Sequence, residues 1–317
     1  MTKKNLFLAF LTAILVVPLL AHGQTKHRPD KDDDDDDDRP VFRPPALRPG
    51  EKPLDADFTC PYVKGFEHPE RFNGYTLRLS RGTKTPTDRC RAVVTSIAGK
   101  RLIAARDWAL KVDKISGADI NGDGKPEVVI DGYSGGERCC FTYTVVKLGA
   151  SAQVMRRIAS NSALNFEKQD DGSVLIKGVD SSMDYFVVPH PMAVVPQVFL
   201  KMKGDALEDV SAQFQPQYDK LIDDAKSQLT PADLEKFRHS RYNDKMFTDQ
   251  LPTARRVLTI IVNYLYSGRE EQAWKALDEL WPASDQGRLK NLIQERRARG
   301  LLKQLNEPIA GAVAAAR

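Results

Sequence analysis

Nine residues of this chain have the types and spacing to do chemistry: Asp119-Ile-Asn121-Gly-Asp123-Gly-Lys125-Pro-Glu127. Oxygen side chains fall at relative positions 1, 3, 5 and 9, and the backbone carbonyl of Lys125 supplies position 7, a spacing that wraps a hard cation. Gly124 at position 6 permits the sharp turn that aims those oxygens inward. Three carboxylates and an amide suit Ca²⁺, and a loop without His or Cys does not suit zinc. The predicted ligands are therefore Asp119, Asn121, Asp123 and Glu127 through side chains and Lys125 through its carbonyl. An EF-hand would need Glu at position 12, where this chain has Ile130 inside a Val-Val-Ile run. The loop is expected to feed a strand, and the ion to neutralise the loop's own carboxylates and pin a strand pair, a structural role.

Four cysteines form the second candidate set: Cys60, Cys90, Cys139 and Cys140. In an exported protein they are disulfide candidates. Neighbours on a strand point to opposite faces, so Cys139 and Cys140 reach Cys60 and Cys90 in one order or the other. The competing arrangement joins Cys60 to Cys90 and closes a vicinal bond between Cys139 and Cys140, with Gly135-Gly136 accommodating the kink. No His or Met lies within three residues of the pair, which argues against copper or redox use. Of the five histidines, His22 and His27 fall in the N-terminal region; His68, His190 and His239 remain. His190 sits in an apolar, Pro-punctuated stretch that reads as edge strand or packed loop, and a hydrogen-bonded structural role is expected for it. No nucleophile elbow, His-Glu-x-x-His helix or phosphate-cradling Gly loop occurs, so no catalytic residue is predicted.

The run from Asp119 to Glu127 continuing into Val-Val-Ile resembles the FG-GAP and VCBS repeats of integrin-type β-propellers, whose loops bind calcium between two strands of a blade. The continuation Asp131-Gly-Tyr-Ser-Gly-Gly-Glu-Arg-Cys139-Cys140-Phe141 is similar to a stretch found in uncharacterised secreted bacterial proteins with such a motif. The resemblance covers about 30 residues and one full copy of the loop, and it implies the same five calcium ligands.

The elements that must position these residues follow from hydrophobic periodicity. From 55 to 210 short β-type runs alternate with turn signals: 75–79, 91–97, 127–131, 141–148, 153–158 and 173–179. An antiparallel meander, a partial propeller in style, is expected there. From 211 to 317 the period becomes helical. Tyr218, Leu221, Ile222, Ala225 and Leu229 form one stripe, and Thr230-Pro231-Ala-Asp233 is a helix start. A nearly all-apolar helix is expected over 253–266, another over 269–281, and a last basic one capped by Ser284 and running through Leu305. Tyr264 to Pro282 resembles the middle of a tetratricopeptide unit; with one such unit visible, a helical hairpin is expected. The fold class is thus α+β, a β-meander followed by an α-helical bundle.

The remaining expectations concern address and partners. Lys3 and Lys4, the apolar run Leu6–Leu20 and Ala21-His22-Gly23 read as a secretory signal over 1–23, and the run is too short for a membrane span. Residues 24–54, with seven consecutive aspartates (32–38) and repeated prolines, read as a disordered tether. The 47 basic and 43 acidic side chains leave a formal charge of +4, too mild a balance for a nucleic-acid partner. The expected product is an exported protein, periplasmic or extracellular, with no membrane span after signal cleavage. Its expected function is that of a calcium-stabilised binding or scaffold protein whose ligand the sequence does not specify, a protein and a cell-envelope glycan being the partner classes open to it. The alternative is a cell-envelope hydrolase acting on glycan or peptide at the junction of the β-rich and helical domains.

Overall fold

A computed structural model of the chain describes residues 68–306, apart from 84, 137–138 and 241–245. The expected signal (1–23), the tether (24–54) with its Asp run, and Cys60 lie outside the described residues.

The β-rich part consists of three successive four-stranded antiparallel meanders, each with its strands in sequence order and none closed into a barrel. The first contains β1 (His68–Phe72), β2 (Tyr75–Arg81), β3 (Cys90–Ser96) and β4 (Arg101–Asp107). Asn73 and Gly74 join β1 to β2 with both residues left-handed, φ 42° and 79°, the conformation a two-residue hairpin turn needs. The second contains β5 (Ala109–Val112), β6 (Glu127–Gly136), β7 (Cys139–Leu148) and β8 (Ala152–Ser160). The third contains β9 (Asn165–Lys168), β10 (Val174–Val179), β11 (Gln197–Lys203) and β12 (Ala206–Asp209). Strands β1, β4, β5, β9 and β12 are short or charged and give no clean alternation in the sequence.

The second sheet is the middle layer. Val128 and Ile130 of β6, with Val146 and Leu148 of β7, pack against Leu77, Leu79, Ala92 and Val94 of the first sheet. On the opposite face Val129, Tyr143, Val145 and Ile158 join Phe166, Ile176 and Phe199 of the third sheet and the helices in one hydrophobic cluster. Burying one such side chain contributes about 1.5–3 kcal/mol, so two apolar faces fix β6 and β7 in register far more firmly than turn chemistry does.

Strands give way to helices just after residue 210, where the sequence pattern changes, and the hydrophobic cluster runs across that point. The helices are α1 (Gln215–Ser227), α2 (Pro231–Arg238), α3 (Met246–Tyr266), α4 (Glu270–Leu280) and α5 (Gln286–Arg297). Tyr218, Ile222 and Ala225 of α1 are buried, while Leu221, at the margin of the expected stripe, is 37% exposed. The Thr230 hydroxyl caps α2 by accepting from Asp233 N at 3.1 Å, as its position before Pro231 predicts. The apolar helix starts earlier than expected, at Met246, and runs through Pro252. Gly268, at φ 77°, closes the α3–α4 hairpin. Ser284 does not cap the last helix; Asp285 stands at its N-cap, with its carboxylate accepting from Trp281 Nε1 at 2.9 Å and from Arg288.

The last helix also stops short of Leu305, at Arg297, and the chain continues as a 3₁₀ turn over Leu301–Asn306. The approach of Gly300 to the buried Asp180 accompanies this break: a Cβ at Gly300 would lie 2.1 Å from Asp180 Oδ2. In the 3₁₀ turn the Gln304 amide accepts from Ala159 N at 2.8 Å and donates to Ala159 O at 2.6 Å. It thereby covers the exposed edge of β8, which is otherwise a template for unwanted strand pairing.

Candidate metal centre

Four of the five predicted ligands sit in the connection from β5 to β6, residues 113–126, and the fifth, Glu127, opens β6. The two arms of the connection are tied down before the turn begins. Asp113 N donates to Val129 O at 2.9 Å, Gly117 N to Glu127 O at 2.8 Å, and Glu127 N to Ala118 O at 2.9 Å. Ser116 Oγ accepts from Val129 N at 3.0 Å. Gly122 and Gly124 then adopt φ 77° and 79°, conformations that favour glycine, and carry the chain around Asp119. The far side is anchored as well: Asn121 O accepts from Gly204 N in the β11–β12 turn at 3.1 Å, and Asn121 Nδ2 lies 3.5 Å from Met155 Sδ of β8.

Three of the four predicted side-chain ligands belong to this loop, Glu127 follows as the first residue of β6, and each has a defined hydrogen-bond role. Asp119 accepts from Gly122 N, Asp123 N and Gly124 N at 2.8, 3.1 and 2.8 Å. Asn121 Oδ1 accepts from Asp123 N at 2.9 Å, and Asp123 Oδ1 from Lys125 N at 3.0 Å. These bonds shape the loop and leave lone pairs free, because a carboxylate oxygen can accept more than once. Among the described residues no three His, Cys, Asp or Glu side chains are gathered as a ready metal set; the predicted set also draws on an amide and a main-chain carbonyl.

Glu127 differs from the other three. Its side chain is fully buried, and Oε2 accepts from Ile120 N at 2.8 Å. Oε1 is buried with no hydrogen-bond partner. Burial, and then the negative charges of Asp123 and Asp119, push its carboxyl up to about 7. A buried carboxylate with an orphaned oxygen is costly unless a positive charge or a donor satisfies it.

One cation already lies beside the loop. Lys147 of β7 stands directly across from Glu127 in the β6–β7 register and forms an ion pair with Asp123 Oδ2. That contact holds the Asp123 carboxyl below its ordinary range. A cleft of about 360 Å³ opens next to the loop, lined by Asp119 and Gly122 on one side and by Asp171, Ser173 and Lys201 of the third sheet on the other. A further buried acid lies on β6. Asp131, on the same face of β6 as Glu127, is pushed up to about 7 by burial and by Asp113, against the pull of Lys111 Nζ at 3.4 Å. Sequence spacing gives no hint of either partner, since cross-strand register brings them together.

The other candidates are dispersed. Cys90 is buried in β3, Cys140 lies in β7, both are in disulfides, and no cysteine among the described residues is free. His190 lies in a 3₁₀ turn rather than an edge strand. Its Nδ1 stands 2.7 and 2.8 Å from the two Asp184 carboxylate oxygens, and Tyr185 stacks on the ring at 5.1 Å. This short segment carries two left-handed non-glycine residues, Tyr185 at φ 51° and Val187 at φ 63°, a costly conformation for a β-branched side chain. His239 Nδ1 donates to Glu235 O at 2.9 Å within its own helix end. His68 stands in β1.

Comparison with protein-family models, with curated proteins and with solved structures gives no match. Among the described residues no helix is long and apolar enough to cross a membrane.

Proposed function

We infer that this chain is an exported, calcium-stabilised binding or scaffold protein whose ligand is a protein or a cell-envelope glycan. The observation that carries the calcium part is Glu127 Oε1, a buried oxygen without a partner in a loop that already holds Asp119, Asn121 and Asp123. Ca²⁺ is the cation that fits oxygen-only donors, including an amide and the Lys125 carbonyl. Bound there, it would supply positive charge to three carboxylates and fix the β5–β6 connection to the sheet. The chain's own residues supply the rest: the two glycines set the turn, and Gly204 and Met155 hold its outer side against the third sheet and β8. The export part rests on the Lys3/Lys4 to Gly23 pattern, and the scaffold part on the rigid stack of three meanders beside a helical hairpin.

Thermal melting of the full chain in EDTA and then in excess calcium tests the ion. A binding site for the native state raises stability by about 2.7 kcal/mol at a hundredfold excess over Kd; equal melting temperatures would remove the calcium assignment. The hydrolase alternative draws on the oriented His190–Asp184 pair. Neither the cleft beside the loop nor the larger one between α1 and the third sheet has His190 in its lining, which favours the binding role.

A further inference from the structure

We propose that Lys147 is a built-in competitor for the calcium loop: its ammonium holds Asp123 in the ion-free protein and must be displaced when the ion binds, so it sets the loop's affinity. This rests on the calcium reading above.

Three observations place Lys147 in that role. It belongs to β7, the strand hydrogen-bonded to β6 on one side and β8 on the other, so its backbone is fixed. In the register it faces Glu127, and directly opposed side chains on one sheet face lie within about 5.5 Å at Cβ. Its Nζ bonds Asp123 Oδ2, the oxygen of that ligand left over by the loop's own backbone bond from Lys125 N. A lysine from a different strand has thus entered a loop whose Asp119 and Asn121 side-chain oxygens are bonded by the loop's own backbone, while Glu127 Oε1 stays without a partner.

The sign of its effect follows from charge. The carboxylates of the loop attract Lys147 in the ion-free and the ion-bound protein alike. What changes on binding is the loss of the Lys147–Asp123 pair and the appearance of repulsion between an ammonium and a divalent cation a few ångströms away. Both disfavour binding. One ammonium also leaves Glu127 Oε1 unpartnered, so Lys147 occupies part of the ion's electrostatic role without satisfying the site. Its side chain is about one-third exposed, so it can swing into solvent while the strand stays in place. Because both contributions are electrostatic, salt weakens them.

The test is calorimetric titration of calcium chloride into the full chain and into Lys147→Met and Lys147→Arg, at low and at high sodium chloride. The expected result is binding to Lys147→Met roughly three- to tenfold tighter than to the wild type at low salt. The ratio should shrink at high salt, and Lys147→Arg should stay near the wild type. If Lys147→Met does not fold, Lys147→Gln takes its place. Unchanged or weaker affinity in the neutral variants overturns the competitor role while leaving the calcium site standing. No calcium heat in the wild type removes the site itself, and the competitor with it.

Discussion

Each of the three meanders begins with a hairpin, and the three turns differ in what they ask of the chain. In the first sheet Asn73-Gly74 does the work with two residues. In the third, Gln169–Ser173 closes itself: Gln169 N donates to Ser173 O at 2.8 Å, and Asp171 Oδ1 accepts from Ser173 N and Oγ at 2.9 and 2.6 Å. The second sheet spends residues 113–126 on the same task and still leaves Glu127 Oε1 without a partner. A long connection that a short turn could replace is typically functional. The contrast locates that function in the carboxylates, because the third sheet's turn also contains Asp and Gly but leaves no buried side-chain oxygen without a partner, Lys201 Nζ completing Ser173 Oγ at 3.1 Å.

The sharpest way to break the contrast is Glu127→Gln. The amide keeps an oxygen for Ile120 N but removes the charge, so calcium affinity is expected to fall by about 100-fold, near 2.7 kcal/mol at 1.36 kcal/mol per decade. The calcium-free protein should hold its melting temperature or gain. Calorimetry and melting on the same sample check both halves.

Asp131 gives the next effect, and it concerns pH. The fold favours its protonated form, so its contribution to stability is complete below 3.8 and is lost as pH rises toward about 7. Asp131→Asn should flatten denaturant-measured stability across that window by roughly 1–3 kcal/mol. A wild-type-like slope in the variant would deny the buried acid its role.

Glycine substitutions then compare two turns directly. Gly124→Val and Gly172→Val each force a β-branched residue into φ near 80°, at about 1–2 kcal/mol in urea unfolding. The costs should be similar, yet only Gly124→Val should also weaken calcium binding. The smallest effect is expected from Asp171→Ala, which removes the cap on Ser173: a slight drop in melting temperature, with calcium affinity unchanged.

The features legible in the sequence are those set by neighbours along the chain. The loop's ligand spacing, the Thr230 cap and the central strands β6 and β7 follow from runs of a few residues. Leu221 shows where periodicity stops, since its place on the stripe does not say which neighbour covers it. Short strands such as β5 and β9 escape notice because their partners, rather than their composition, make them strands. The Ser284 cap fails because Asp285 is recruited by Trp281 and Arg288. Lys147 and Asp131 were invisible for the same reason: register across β5, β6 and β7 assembles them, and a single sequence does not display register.

The most direct test of the account is a crystal structure of the full chain grown in calcium chloride. An ion is expected within about 2.3–2.6 Å of Glu127 Oε1, oxygens of Asp119, Asn121 and Asp123, and the Lys125 carbonyl, with Lys147 released from Asp123. A loop holding only water, with Lys147 still on Asp123 at saturating calcium, would contradict it.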